Sequence, residues 1–259
     1  MLAPIVERLV ILGRFVDFAL SAVVAIPQAL VRRAAESLSQ FERVTWGGLP
    51  IAIAAGISVG LVTWLQTRRL LVEYGIEATL PSVLAVAVMI ETGPMLASLL
   101  VAGRMGAGLA AELASMTLTE EIEARSVLGA DPIATLVAPR LVACMVALPL
   151  LTVMLDACAL LGALAAELSA GSLSVDQFGA RSLAYLRWAD LIPATLKTSL
   201  FGGLIALIAC WTGFNADRST ESVGKAATRG VVRSMLAVFA ANVLIVPWIQ
   251  WAATLFHRS

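Results

Sequence analysis

The sequence predicts an all-α polytopic membrane protein. Of its 259 residues, 59% are hydrophobic and 14% are charged, whereas ordinary soluble domains are about 45–50% apolar and about 25% charged. The mean hydropathy is +0.90. One water-soluble core cannot enclose this much apolar surface. A helix needs about 20 apolar residues to cross a bilayer, and several segments of the sequence are this long. The bilayer is therefore the expected solvent for most of the chain.

The N-terminal segment, residues 1–40, is predicted to be an amphipathic helix that lies in the membrane interface. At the helical period of about 100° per residue, five polar side chains share one face: Glu7, Arg14, Asp17, Ser21 and Gln28. The opposite face is Leu, Val, Ile and Phe, a pattern typical of interfacial helices. A sixth crossing segment is the alternative. Because charges interrupt the apolar run, a secretory signal peptide is not expected.

Five transmembrane helices are predicted to form a bundle over residues 44–256. They cover residues 44–67, 81–103, 141–170, 191–214 and 234–256. The first and last contain no charged residue. The loops 104–139 and 215–230 lie on the same side of the membrane, and this side carries more Lys and Arg than the other. The positive-inside rule therefore places those loops in the cytoplasm.

A short charged block, Thr117–Pro132, interrupts this apolar sequence. Either Thr117 or Thr119 can cap a helix whose first turn carries three acids, and acids stabilise that end of a helix. Glu121 and Arg125 are spaced for an i, i+4 ion pair. Gly129 is expected to end the helix, because glycine commonly follows a helix C-terminus, and the Asp131-Pro132 pair prevents its continuation.

A helix of two to three turns is not stable alone in water. It therefore needs a surface to dock on. Two hypotheses follow from the residues: the helix packs on this protein's own cytoplasmic surface, or it inserts into a soluble partner and transmits force to the membrane helices.

Ionisable residues inside the spans are candidates for function, because a charge in the bilayer is costly. Glu91 lies beside Gly93 and Pro94, which are expected to kink the helix. It either serves transport or pairs with a basic group or with backbone amides near Pro94. Asp156 and Lys197 can pair, and Glu167 is close enough to the outer boundary to reach water. Arg104 either anchors the inner interface or binds lipid phosphate or the charged loop.

Several chemistries are excluded by what the sequence lacks. The cysteines are isolated and the single histidine is His257, so no metal centre or histidine-based catalysis is predicted. A P-loop requires G-x-x-x-x-G-K-[ST], and the nearest approach, "STESVGKA" at 219–226, lacks the first glycine and the final hydroxyl. The chain is therefore not expected to be an enzyme or to hold a cofactor. Its net charge of zero gives no indication of a nucleic-acid partner.

Two blocks resemble the MlaE/YrbE family, the permease subunits of ABC transporters that work on lipids with MCE proteins. The first is "ETGPMLASLLVAGRMGAGLAAELASMTLTEEIEARSVLGADPIATLVAPRLVACMVALPLLT" and the second is "TGFNADRSTESVGKAATRGVVRS". The family pattern runs approximately E-L-G-P, then G-R-x-G-A-x-x-A-E-L, then T-E-Q-I-D-A, then V-x-P-R. Together the blocks span residues 91–234, over half of the chain, and they occur in the family's order.

The resemblance implies one permease domain over residues 1–259 and a coupling helix that docks on an ATPase subunit, where ATP and Mg²⁺ would bind. By matching position, the coupling contact is Thr119, Glu120, Glu121, Ile122, Glu123 and Ala124. The substrate pathway is assigned to Glu91, Gly93, Pro94 and Arg104. Two departures from the family pattern lie in the coupling helix: Glu121 stands where Gln is usual and Arg125 where Leu is common, so a changed ATPase surface is expected. A third departure is Ile90, which stands where the family commonly has an arginine. A lipid-headgroup role for an arginine at this position is therefore not carried over to this chain.

The resemblance also implies an MCE-domain partner on the outer face, a STAS-domain protein beside the ATPase, membrane lipid as substrate, and a bacterial inner-membrane location. Abundant small residues, among them Gly106 and Gly202, suit close helix packing and fit the homodimer that the family's architecture implies. Two other functions stay open from the residues: a secondary transporter that relays ions through Glu91, Asp156 or Lys197, and a membrane scaffold without transport.

Overall fold

The computed structural model describes residues 3–170 and 173–256, and in these ranges it is built of helices without strands. The predicted all-α class is therefore confirmed. The eleven α-helices of the described residues are α1 Ala3–Val24, α2 Ile26–Val31, α3 Ala34–Glu73, α4 Leu80–Ala87, α5 Gly93–Val101, α6 Ala107–Leu118, α7 Glu121–Val127, α8 Ala138–Ala170, α9 Val175–Ala184, α10 Trp188–Phe214 and α11 Thr220–Phe256. A 3₁₀ turn, Glu77–Thr79, precedes α4, and π-helical segments cover Val88–Thr92, Ala102–Gly106 and Ile133–Val137.

Six helical segments in the described ranges are long and apolar enough to cross a membrane, one more than predicted. They are Leu9–Val31, Ala34–Glu73, Glu77–Leu118, Ile133–Ala170, Asp190–Phe214 and Thr220–Pro247. Four of the last five segments each contain a predicted span, and the last overlaps the span predicted over residues 234–256. The chain is therefore a multi-pass membrane protein.

The additional segment, Leu9–Val31, is the one predicted to lie in the interface. Its helix is interrupted at Ala25, two residues before Pro27, which lacks the amide hydrogen that continues a helix. Phe18 is buried and stacks edge-on against Trp211 and Phe214, with ring centroids 5.3 and 5.5 Å apart. Most of the other apolar side chains of this segment are exposed, where lipid would cover them. Length and composition suit either arrangement, so the interfacial position stays a prediction.

The predicted loop 104–139 is largely helical, which corrects the sequence boundary. The helix of the second predicted span continues to Leu118. Alanine and leucine favour helix here, and the acid Glu112 is held by two arginines, Arg43 and Arg140, at 2.9 and 2.8 Å. The non-helical part is therefore limited to the short connections around α7.

Residue contacts divide the chain into two units, and neither is a contiguous stretch of sequence. The described part of unit 1 comes from Met1–Val44, Val101–Val146 and Gly202–Ala237, and that of unit 2 from Thr45–Leu100, Ala147–Phe201 and Val238–Ser259. In unit 1, a Cβ at Gly202 would overlap the backbone carbonyl of Cys144, so glycine permits the close approach of α10 and α8. In unit 2, Gly60 packs in the same way against Ala159.

Candidate functional site

The predicted coupling helix is present as α7, Glu121–Val127, a helix of about two turns in unit 1. The residue that precedes it, Glu120, has φ 58° and so separates α7 from α6. Neither predicted threonine caps the helix. The hydroxyls of Thr117 and Thr119 donate to the carbonyls of Leu113 and Ser115 four residues earlier, because α6 extends to this point.

The C-terminal end of α7 matches its prediction. Gly129 has φ 79°, and the amides of Gly129 and Ala130 donate to the carbonyls of Ser126 and Arg125 at 3.0 and 3.1 Å. This is a Schellman motif, which glycine favours because it lacks a Cβ. The carboxylate of Asp131 then accepts a hydrogen bond from the Ile133 amide at 2.9 Å, at the start of the next helical segment.

The acids of this coupling segment, 117–132, are partly neutralised within unit 1. Arg125 Nη2 lies 2.6 Å from Glu121 Oε1, which confirms the predicted i, i+4 pair. Arg218, from the segment between α10 and α11, donates to Glu120 Oε1 at 3.0 Å and also pairs with Glu123. The sequence indicated no role for Arg218, because a contact across so many residues has no local signature.

The apolar side chains at the C-terminal end of α7 are uncovered, whereas Ile122 on its first turn is half-buried. No residue of the helix is buried. Val127 is 86% exposed and Leu128, at the helix end, is 84% exposed. Two adjacent apolar side chains at this exposure are available to a partner surface.

The segment is attached to the bundle through a buried arginine. Arg140, at 5% exposure, pairs with Glu112 on α6 and donates to the Leu136 carbonyl at 2.6 Å. Glu112 also accepts from Arg43 on α3 at 2.9 Å. These ion pairs join the helices before and after α7 to α3 within unit 1. Both Glu112 and Arg140 fall in the family-like pattern, yet neither was singled out from the sequence.

In unit 2, Lys197 on α10 is the partner of Glu91. Its ammonium lies 3.0 Å from Glu91 Oε2 and donates to the Ile90 carbonyl at 3.1 Å. A proline has no amide hydrogen, so Pro94 cannot donate to the carbonyl four residues earlier, which is that of Ile90. Lys197 therefore satisfies both the intramembrane carboxylate and the carbonyl that Pro94 leaves open. The expected kink takes the form of the π-helical segment Val88–Thr92.

Gly93 lies against Asp156 of α8. A Cβ at Gly93 would overlap the Asp156 carboxylate, whose Oδ1 has no hydrogen-bond partner among the described residues. Asp156 is 4% exposed. Because Lys197 is engaged by Glu91, the suggested Asp156–Lys197 ion pair does not occur in the described part of the chain.

Glu167 differs from its prediction, whereas the role of Arg104 stays a prediction. Glu167 does not reach water: it is 2% exposed and accepts a 2.6 Å hydrogen bond from the Trp64 indole, a partner that makes burial of the carboxylate tolerable. Arg104 lies in the π-helical segment Ala102–Gly106 and its residue is exposed. It forms no ion pair with another described residue.

Comparisons with known proteins identify the family of the chain. The family model described as Permease MlaE matches residues 37–247. The chain is 32% identical to the "Probable ABC transporter permease protein" of Rickettsia typhi over 76% of each chain. It is 32% identical to TRIGALACTOSYLDIACYLGLYCEROL 1, chloroplastic, of Arabidopsis thaliana, over 81% of this chain and 60% of the plant protein. It is 26% identical to the intermembrane phospholipid transport system permease protein MlaE of Haemophilus influenzae, over 76% of each.

The family model covers far more than half of the chain, and the residues it spans include α7, the Glu112–Arg140 ion pair and the Glu91–Lys197 pair. The chain therefore belongs to the MlaE permease family.

Proposed function

We propose that this chain is the membrane-spanning permease subunit of an ATP-driven transporter that moves phospholipid. Family membership carries the proposal, and the names of the bacterial relatives, an ABC transporter permease and an intermembrane phospholipid transport permease, support it. A permease of this kind is not itself catalytic. ATP is hydrolysed on a separate ATPase subunit, since the sequence has no complete P-loop.

The coupling segment transmits movement of the ATPase to the membrane helices. The uncovered Val127 and Leu128 on the last turn of α7 support this role, because a short helix with bare apolar side chains requires a docking surface. Thr119–Ala124 provide the acidic face of the contact. The Arg140–Glu112–Arg43 ion pairs make the connection stiff, so a displacement of α7 is passed to α3, α6 and α8.

Most side chains of the membrane helices are apolar, and this suits acyl chains better than sugars, peptides or ions. Two copies of the chain form the translocating unit in the bacterial inner membrane, with an MCE-domain protein receiving lipid on the outer face and a STAS-domain protein accompanying the ATPase. Glu91, Gly93, Pro94 and Arg104 are the residues we assign to the path. The Glu91 carboxylate is 46% exposed although its Lys197 partner is buried, so it can still meet a substrate.

Transport in vesicles tests the proposal. The chain, purified with its co-expressed ATPase, is reconstituted with fluorescent phospholipid, and lipid transfer is measured with ATP, with a non-hydrolysable analogue and with a proton gradient alone. Transfer that requires ATP hydrolysis and the ATPase subunit is expected. Transfer driven by the gradient without ATP would instead identify a secondary transporter. Absence of transfer in every condition, with a folded complex, would favour a scaffold.

A further inference from the structure

We propose that a basic cavity at the charged end of α11 binds the phosphate of an anionic phospholipid headgroup. The cavity lies within unit 1, between α1, α10 and the start of α11, and has a volume of about 240 Å³. Four basic side chains line it: Arg14, Lys225, Arg229 and Arg233. This site is independent of the proposed transport function, because it requires only that the chain spans a membrane.

The charges of the cavity are poorly balanced within the protein. Lys225, Arg229 and Arg233 recur every four residues, so they lie on one face of α11 and repel one another. Only Lys225 has an ion-pair partner in the described part of the chain, Glu221 at 2.8 Å. The single acid that lines the cavity is Asp217. A bound anion would relieve this repulsion.

The other side-chain donors of the lining, apart from Trp211, are already engaged. The hydroxyls of Thr212 and Ser222 donate to backbone carbonyls, and the Asn215 amide donates to the Trp211 carbonyl at 2.9 Å. The guanidinium groups of Arg14, Arg229 and Arg233 have no hydrogen-bond acceptor among the described residues and are thus the donors left for a ligand. Guanidinium groups bind phosphate oxygens in pairs, which gives geometric selectivity for a phosphate.

The cavity lies where a lipid headgroup would be. Arg233 is the last charged residue before the uncharged run 234–256. The side chains that follow it on α11, Leu236 and Phe239, are 62% and 41% exposed, as expected of residues covered by acyl chains. Trp211 lines the same cavity, and tryptophan is enriched at the membrane–water boundary. Basic pockets between membrane helices on the cytoplasmic side bind anionic headgroups.

Lipid binding to the full chain tests this site. The chain, purified with its associated subunits, is titrated with phosphatidylglycerol or with phosphatidylcholine, and bound lipid is counted by native mass spectrometry. The wild type is expected to prefer phosphatidylglycerol. Arg229→Gln with Arg233→Gln is expected to weaken phosphatidylglycerol binding about tenfold or more and to leave phosphatidylcholine binding unchanged.

A matched control removes the same charge elsewhere. Arg32→Gln with Arg187→Gln changes two exposed arginines that do not line the cavity, and phosphatidylglycerol binding is expected to stay at the wild-type level. Arg229→Lys with Arg233→Lys keeps the charge and is expected to retain part of the binding. The proposal would be overturned if the control lost phosphatidylglycerol binding equally, or if the wild type showed no lipid preference. It would also be overturned if millimolar inorganic phosphate displaced the lipid, because that would identify a soluble phosphate as the ligand.

Discussion

Arg218 Nη1 lies 3.0 Å from Glu120 Oε1, so a residue just before α11 holds the residue that immediately precedes α7. The same guanidinium group contacts Glu123 one turn further along α7. Both partners are half-exposed or more, and exposed ion pairs contribute only about 0–1 kcal/mol each to stability. The contact is therefore suited to positioning α7, and a partner can replace it at low cost.

Loss of Arg218 should loosen α7 without unfolding the protein. In Arg218→Gln, we expect faster amide hydrogen exchange over residues 121–128 and a thermal unfolding midpoint close to the wild type. Arg33→Gln is the control, since it breaks a comparable exposed pair with Glu36 that does not involve α7. Unchanged exchange over α7 in Arg218→Gln would show that Arg218 does not position the helix.

Charge reversal on α7 should separate the permease from its ATPase. Glu120→Lys with Glu121→Lys places two cations beside Arg218 and Arg125 and inverts the acidic face proposed to meet the ATPase. We expect the ATPase to be lost during affinity purification, while the permease keeps its monodisperse elution and its thermal midpoint within a few degrees.

The matched control for this change is Glu36→Lys with Glu221→Lys. These acids are also exposed and each breaks one local ion pair, but both lie outside the coupling segment. The control is expected to retain the ATPase. Full retention of the ATPase by the Glu120 and Glu121 variant would contradict the coupling assignment.

The sequence predicted the helical class, the five apolar spans and the end of α7, because each depends on local signals: apolar length, the spacing of Glu121 and Arg125, and a glycine after the last turn. It did not predict the start of α7, since Thr119 continues α6 and the break is made by the left-handed backbone of Glu120. Nor could it assign the partner of Glu91. The choice between Lys197 and other partners depends on which helices are neighbours, and the periodicity of the sequence does not show this.

A methyl group at Gly93 should be costly because of Asp156. The added Cβ of Gly93→Ala would overlap the Asp156 carboxylate, and overpacking typically costs about 1–3 kcal/mol. We expect a lower thermal unfolding midpoint in detergent. In an Asp156→Ala background the overlap is removed, so the same substitution should cost less.

Gly108→Ala is the control for the loss of a helical glycine, since a Cβ there meets no atom within 4 Å. It is expected to be neutral or slightly stabilising, because alanine favours helix. If Gly93→Ala lowered the midpoint equally with and without the Asp156 carboxylate, the overlap would not be the cause.

The Glu91–Lys197 pair allows stability and transport to be separated. Lys197 is 2% exposed, and Lys197→Met removes the donor to both the Glu91 carboxylate and the Ile90 carbonyl. Leaving a buried acceptor without its donor costs about 1–3 kcal/mol, so this variant should have a lower thermal midpoint. Glu91→Gln keeps an acceptor oxygen for Lys197 but leaves that buried ammonium without a counter-charge, so it should fold with a lowered thermal midpoint.

If Glu91 acts on the substrate path, Glu91→Gln will reduce ATP-dependent lipid transfer in vesicles severalfold when equal amounts of folded complex are compared. If the role is solely structural, each variant will lose transfer only in proportion to its loss of folded complex, and folded Glu91→Gln will transfer lipid at the wild-type rate. Glu73→Gln, an exposed acid at the end of α3, controls for the removal of one charge and should transfer lipid normally. If Glu91→Gln transfers lipid at the wild-type rate, the only role of the Glu91 carboxylate is to hold Lys197 in position next to the Ile90 carbonyl.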